Sequence, residues 1–261
     1  MSLIVSITKT LLFYFLLQSA AFLCVFRLWM FPFNYVLLFF TFQFVFYCII
    51  FLFLIKNKNL FYKTANGEKE TSLNSANKIT LLRITMLPFL ILLTLVSQKY
   101  VKHTSLADNF LLTGAFALTF ATDFIDGQLV RIKKNETYIG KILDSTSDYL
   151  LLGITAGAFY YFELLPPWLF LIIIIRLFLN ALVMLILFLV QKKLSPQTTF
   201  LGKTAIAVIM VLLVLKAANM TAYLRWIHWA EDAAAVLIGI SIIDKIIYLI
   251  KGLKQSLPEH S

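Results

Sequence analysis

Charge is what this chain of 261 residues has little of: 14% of it is Asp, Glu, Lys or Arg, against 61% hydrophobic residues and a mean hydropathy of +0.87. That scarcity excludes an ordinary soluble domain and implies a polytopic membrane protein. Acids are scarcer than bases, 13 against 23, for a net charge of +10. In a membrane chain an excess of this sign belongs to loops that face anionic lipid, so no nucleic-acid partner is expected. Cysteine is nearly absent. Cys24 and Cys48 lie inside apolar runs, which excludes a disulfide framework or thiolate metal site and reads as small core residues. The three histidines, His103, His228 and His260, lack ligand-like spacing and fall in loops or the tail, so they read as solvated. Internal repeats and low-complexity tracts are absent as well.

What is there in quantity is long apolar stretches. Runs near 20 residues can cross a hydrocarbon core as helices. Eight are present, at about 11–26, 31–55, 79–97, 109–130, 139–162, 168–190, 204–224 and 233–250. The first is short, and "LLFYFLLQSAAF" after Lys9 also fits a signal peptide cleaved near Ala21. The apolar run continues through Phe26, which favours a retained helix. With a cytoplasmic N-terminus, that side holds thirteen lysines (Lys9, Lys56, Lys58, Lys63, Lys69, Lys78, Lys133, Lys134, Lys192, Lys193, Lys203, Lys251 and Lys254). The opposite side holds four basic residues (Arg27, Lys99, Lys102 and Arg225). This positive-inside bias predicts that both ends lie in the cytoplasm. The polar stretch 56–78 reads as a linker between a two-helix N-terminal extension and a six-helix body.

The few acids are not scattered. "TDFIDGQLVRIKKNETYIGKILDSTSDYL", residues 122–150, holds Asp123, Asp126, Asp144 and Asp148. On a helix, Asp123, Asp126, Gly127, Val130 and Arg131 share one face, as do Gly140, Asp144 and Asp148 on the next. The connection between the two arms is short enough to make them antiparallel neighbours. Asp123 lies eight residues before Arg131, roughly 12 Å, which places the acids at interfacial depth. Four facing carboxylates repel unless neutralised. Hard divalent cations prefer such oxygen ligands, and Mg²⁺ adds substrate phosphates. Glycines leave room for close approach, and an arginine fork suits phosphate. Metals, phosphate and a carboxylate able to accept a proton describe displacement at phosphorus.

These residues resemble the signature of the CDP-alcohol phosphotransferase family, D-x-x-D-G-x-x-A-R-x8-G-x3-D-x3-D. Every spacing is kept, and Val130 alone departs, standing where the family has alanine beside the nucleotide. The resemblance implies an all-α integral membrane protein with a six-helix bundle, here preceded by two extra transmembrane helices. The implied domains are an extension at 1–56, a cytoplasmic linker at 57–76, a catalytic membrane domain at 77–252 and a cytoplasmic tail at 253–261. It further implies two Mg²⁺ ions, with Mn²⁺ as a substitute. Asp123 and Asp144 bridge them, Asp126 and Asp148 each complete one site, and Asp148 doubles as the base that deprotonates the acceptor hydroxyl. Gly127, Arg131, Thr137 and Gly140 lie with the CDP portion, and "NKITLLR" adds Asn77 and Thr80 at the cytidine end. The implied reaction transfers a phosphatidyl group from CDP-diacylglycerol to a small alcohol and releases CMP. It takes place at the cytoplasmic face of a membrane, a bacterial inner membrane on this reading, and homodimers are common among relatives.

The acceptor stays open. "GKILD" and the Gly-Lys of "FLGKTAIAV" lean towards phosphatidylglycerophosphate synthases, hence glycerol 3-phosphate. "LDSTSD" leans towards enzymes using inositol phosphate or inositol, although Tyr149 stands where those commonly have arginine. A glycine and lysine at a helix end are also ordinary topology chemistry. A choline- or ethanolamine-type enzyme joining a CDP-alcohol to diacylglycerol is a further option. Prenyltransferases also use Asp clusters, but on helices far apart in sequence. A cation-coupled transporter needs no glycines and arginine at these offsets, and broken helices in matching halves are not evident. Among other charges, Arg176 reads as either a phosphate ligand or an ion-pair partner of Asp244. Arg83 reads as a ligand for acceptor phosphate or, by default, as snorkelling to the interface, and Lys216, Asp244 and Lys245 as snorkelling or paired. The Phe-rich first two spans read as lipid-facing.

Overall fold

Without water, every backbone polar group of a spanning segment must be satisfied within the segment, and a helix does this. The computed structural model describes residues 2–64, 67–100, 106–133, 137–191, 200–222 and 225–256. The side chains of 106–109, 123–124, 126–133, 184–185, 187–191, 219–222 and 251–256 lie outside that description. Among the described residues, all regular structure is helical. It comprises α1 (Leu3–Trp29), α2 (Phe33–Lys56), α3 (Ser75–Thr85), α4 (Leu87–Tyr100), α5 (Leu106–Lys133), α6 (Tyr138–Tyr161), α7 (Pro167–Gln191), α8 (Phe200–Ala222) and α9 (Ile227–Ser256), with a 3-10 turn at Lys58–Leu60. The spans Leu3–Trp29, Phe33–Lys56, Ser75–Tyr100, Phe200–Ala218 and Ile227–Ile250 are long and apolar enough to cross a membrane, and Phe110–Thr122 and Pro167–Val183 are shorter apolar helices. The chain is a multi-pass membrane protein.

The eight apolar runs each become a helix, and the third is divided. α3 and α4 form one span broken at Met86. Pro88 is the cause: it lacks the N–H that would reach Ile84, and it disfavours helical backbone at Leu87.

The chain divides into two compact units, residues 1–155 and 156–261. In the first, α1 packs on α2, α2 on α4, and α3 on α5. Phe22 stacks on Phe39 at 3.9 Å, and Phe31 and Phe89 meet Phe22 edge-on. The Phe-rich helices are therefore lipid-facing on one side only, with Phe13, Phe33 and Phe44 exposed and Phe22 and Phe39 buried. Both cysteines are free. Cys24 is exposed, which corrects its reading as a core residue, because the α1 face that bears it is not the face packed on α2.

α1 is joined to the start of the body by polar bonds. Leu73 N donates to Ser6 Oγ (3.1 Å), Tyr14 Oη to Lys78 O (3.0 Å) and Gln18 Nε2 to Thr85 Oγ1 (3.1 Å). The Gln18 amide oxygen also accepts from Tyr47 Oη at 3.0 Å. In an apolar medium such bonds stabilise helix association by about 0.6–2 kcal/mol each. The connecting segment is likewise no loose tether. Phe61 and Leu73 are buried, Tyr62 stacks on Tyr138 at 5.4 Å, and Tyr138 N donates to Tyr62 O at 3.0 Å.

In the second unit α9 packs on both α7 and α8. Lys216 and Glu231 form a buried ion pair, so Lys216 is paired and does not snorkel. His228 is exposed, with Nδ1 3.2 Å from Glu231 Oε2. Buried Arg176 donates from Nε to Ser241 Oγ at 2.8 Å, one turn ahead of Asp244. Lys245 is buried too, its Nζ 5.1 Å from the centre of the Tyr248 ring.

Candidate active site

Two helix starts lie side by side in the first unit. Asn74 caps α3, its Oδ1 accepting from Asn77 N at 2.8 Å. Thr137 does the same for α6, its Oγ1 accepting from Gly140 N at 3.1 Å. Each cap satisfies an amide left open by helix geometry. The two caps are joined, because Asn77 Nδ2 donates to Thr137 Oγ1 at 3.0 Å. Gly140 is what allows this approach: a Cβ there would stand 2.5 Å from Asn77 Oδ1 and 2.8 Å from Thr137 Oγ1. Two N-terminal helix dipoles thus point to one place, a setting that favours anionic groups. Asn77, Thr137 and Gly140 are in mutual contact. Thr80 sits one turn deeper on α3, buried, with Oγ1 donating to Ala76 O at 3.1 Å.

Below these starts, Arg83 crosses from α3 to α6. Its Nη2 lies 2.8 Å from Asp144 Oδ1 and 3.2 Å from Asp148 Oδ1, and its Nε donates to Ser147 Oγ at 3.0 Å. Nη2 also contacts Ser147 Oγ, and that hydroxyl donates to Asp144 O at 2.7 Å. Arg83 is 0% exposed. It does not snorkel to the interface, because its two acid partners supply the countercharge that water would otherwise provide. Sequence reasoning weighed this arginine as a phosphate ligand or a snorkelling residue and missed its pairing with the α6 acids and with Ser147. A signal was available: Arg83 is the sole charge between residues 79 and 98 and follows Asn77 and Thr80 at helical intervals, on the same side of α3.

The Asp144 side chain is 51% exposed and that of Asp148 17%. Asp148 Oδ1 is buried against Arg83, whereas the Asp144 carboxylate is half open to its surroundings. Carboxylate oxygens at partial exposure suit a hard divalent ion, and these residues fit one. The other acids of the motif, Asp123 and Asp126, lie on α5 with Gly127 and Arg131. Their side chains fall outside the described residues, as their convergence with the α6 acids does. α5 itself packs on α3, the helix that carries Arg83.

A helical membrane protein with two aspartates one turn apart on one span, held by an arginine from another beneath paired helix starts, belongs to the class that does polar chemistry at a bilayer. Residues 73–238 match the model of one family, and the chain belongs to it: the CDP-alcohol phosphatidyltransferases. Members of this family generally use divalent metals. Three curated relatives agree. A CDP-diacylglycerol–glycerol-3-phosphate 3-phosphatidyltransferase of Bacillus subtilis (strain 168) is 32% identical over 114 residues, 40% of this chain and 57% of that protein. One of the same name from Aquifex aeolicus (strain VF5) is 27% identical over 175 residues, 63% of this chain and 94% of that protein. A cardiolipin synthase (CMP-forming) of Streptomyces coelicolor (strain ATCC BAA-471 / A3(2) / M145) is 31% identical over 91 residues, 34% of this chain and 41% of that protein. The match thus spans about half the length of two relatives and nearly all of the third.

Proposed function

We propose that the chain transfers a phosphatidyl group from CDP-diacylglycerol to the hydroxyl of glycerol 3-phosphate, releasing CMP at the cytoplasmic face of a bacterial inner membrane. The observation that carries this is the spacing of the four motif aspartates, two of them gathered on Arg83, in a chain whose relatives include two glycerol-3-phosphate 3-phosphatidyltransferases. Residues 77–252 form the catalytic part on this reading, and the thirteen-to-four distribution of basic residues supports a motif on the cytoplasmic side.

Asp123, Asp126, Asp144 and Asp148 hold two Mg²⁺ ions on this reading. When bound, the ions neutralise the pyrophosphate and stabilise the attacking and leaving oxygens. Asp148 accepts the proton of the acceptor hydroxyl, whose oxygen attacks the phosphorus bearing the lipid. The bond from that phosphorus to the bridging oxygen breaks, and CMP departs with the bridging oxygen. Arg83 holds both α6 carboxylates in place. Asn77, Thr80, Thr137 and Gly140 receive the nucleotide end with Gly127 and Arg131, and the two helix starts favour its phosphates.

The test is CMP release by purified protein with Mg²⁺ or Mn²⁺ and CDP-diacylglycerol, comparing glycerol 3-phosphate with inositol phosphate, inositol, choline and ethanolamine, the lipid product being resolved by chromatography. Glycerol 3-phosphate alone is expected to support turnover. Release with none of these acceptors, or with another one only, overturns the assignment. The Streptomyces relative favours a second reading, CMP-forming cardiolipin synthesis, and cardiolipin as the product when phosphatidylglycerol is the acceptor would establish it.

Gly140→Ala probes the nucleotide end. The added methyl forces Asn77 and Thr137 apart, so KM for CDP-diacylglycerol is expected to rise about tenfold. Stability should fall by only about 1 kcal/mol, the worth of a hydrogen bond. An unchanged KM removes these three residues from the nucleotide site.

A further inference from the structure

The first two helices lie ahead of the segment that matches the family, and one of them walls a cavity. The cavity has a volume of about 510 Å³, within the ~300–1,000 Å³ usual for ligand pockets. α1 supplies Leu17, Ala21, Cys24 and Leu28, which recur at helical intervals on one face. α5 supplies Phe110, Gly114 and Leu118 from one face of its own, and Phe89 of α4 contributes to the wall. The lining is almost entirely apolar. Leu17, Leu28, Phe110 and Leu118 are all at least half exposed, so the cavity opens sideways towards the surrounding hydrocarbon. Small residues keep it open: a Cβ at Gly114 would meet nothing within 4 Å.

Its position along α5 indicates what fills it. Leu118 precedes Asp123 by five residues and Phe110 by thirteen, so the groove lies about 7–20 Å along the helix axis from the first motif acid. One leaflet of hydrocarbon is about 15 Å deep. A lipid whose pyrophosphate is held at the level of Asp123 therefore has its tail beside this stretch of α5. We propose that the groove between α1 and α5 holds one acyl chain of the CDP-diacylglycerol donor, and that the N-terminal extension contributes to donor binding by forming its outer wall. This rests on the donor assigned above. The bonds from Ser6, Tyr14 and Gln18 to residues 73–85 fix the wall in place, and the α1 face bearing Leu17, Ala21, Cys24 and Leu28 is left for lipid.

The full-length protein in detergent is irradiated with CDP-diacylglycerol that carries a photoreactive diazirine midway along one acyl chain, and the labelled peptides are mapped. Label is expected in 17–28 and 110–118, reduced severalfold by unlabelled CDP-diacylglycerol but not by phosphatidylcholine at the same concentration. Gly114→Leu should lower that label. It should also raise KM for a long-chain donor about tenfold, as loss of a buried apolar contact does. KM for a dihexanoyl donor, whose tails are too short to reach Phe110, should stay within about twofold, a shift worth well under 1 kcal/mol. Leu16→Phe, on the exposed side of α1 outside the groove, should leave both values unchanged. Label displaced equally by phosphatidylcholine means ordinary boundary lipid and overturns the proposal. Label confined to other helices overturns it too, as does no label at all, the result if a second copy fills the groove. CMP release without labelling of α1 or α5 defeats the groove alone. Specific labelling without CMP release from any acceptor upholds the groove and defeats the reaction.

Discussion

Asp148→Asn is expected to lower kcat for CMP release by about three orders of magnitude or more, since it removes a base and a metal ligand together. The amide keeps the size of the carboxylate but accepts no proton at neutral pH and binds a hard cation weakly. The fold should survive. Arg83 keeps Asp144 at 2.8 Å and Ser147 at 3.0 Å, so the buried guanidinium retains an acid partner. The loss of stability should then stay near 1–2 kcal/mol, the range for a hydrogen bond to a charged group. The check is a single-turnover assay beside a thermal melt of the same preparation. Activity above about one-hundredth of wild type, less than a general base alone contributes, would remove Asp148 from the chemistry.

Arg83→Met should produce the largest loss of stability. The arginine is wholly buried between two carboxylates, and its removal leaves them facing each other. Breaking a buried pair costs about 3–5 kcal/mol, and the low end applies because the half-exposed Asp144 can turn to water. A clear fall in melting temperature follows, measured without metal. Mg²⁺ should then raise the melting temperature of the variant more than that of wild type, because a bound cation takes over the countercharge and its binding is linked to stability. Arg83→Lys should recover part of the loss. It keeps the charge but not the fork that reaches Ser147 and Asp144 together. A wild-type melting temperature for Arg83→Met, or an equal response to Mg²⁺ in both proteins, contradicts this account.

The spans were legible because hydrocarbon imposes a length on apolar runs, and the motif because its chemistry demands fixed offsets. Boundaries failed where polar residues found partners inside the membrane. The sequence reading starts the first helix at residue 11, whereas α1 starts at Leu3. Thr8 and Thr10 return their hydroxyls to the carbonyls of Ile4 and Ser6, so a stretch that reads as a polar flank continues the helix. The last span is expected from residue 233, yet α9 starts at Ile227. Glu231 looks like a loop residue until Lys216 of α8 neutralises it. Arg83 was misjudged for a related reason: its lone position and its interval from Asn77 and Thr80 were visible, but one basic residue near an interface also has a water-seeking conformation available, and the α6 acids decide against it. Docking of residues 61–64 and 67–73 leaves no periodic trace, because their contacts reach residues 6 and 137–138, far away in the chain.

That docked strap has a practical consequence. Gly67, whose φ of 71° suits glycine, donates from its N to Lys63 O at 3.0 Å, and Lys63 bridges to Thr137 at the start of α6. A shortened protein cut to the family's own borders would therefore shed the brace on Thr137, and Lys78 and Thr85 would lose Tyr14 and Gln18 along with the first two helices. For an engineer, the ends of the matching segment are the wrong place to trim.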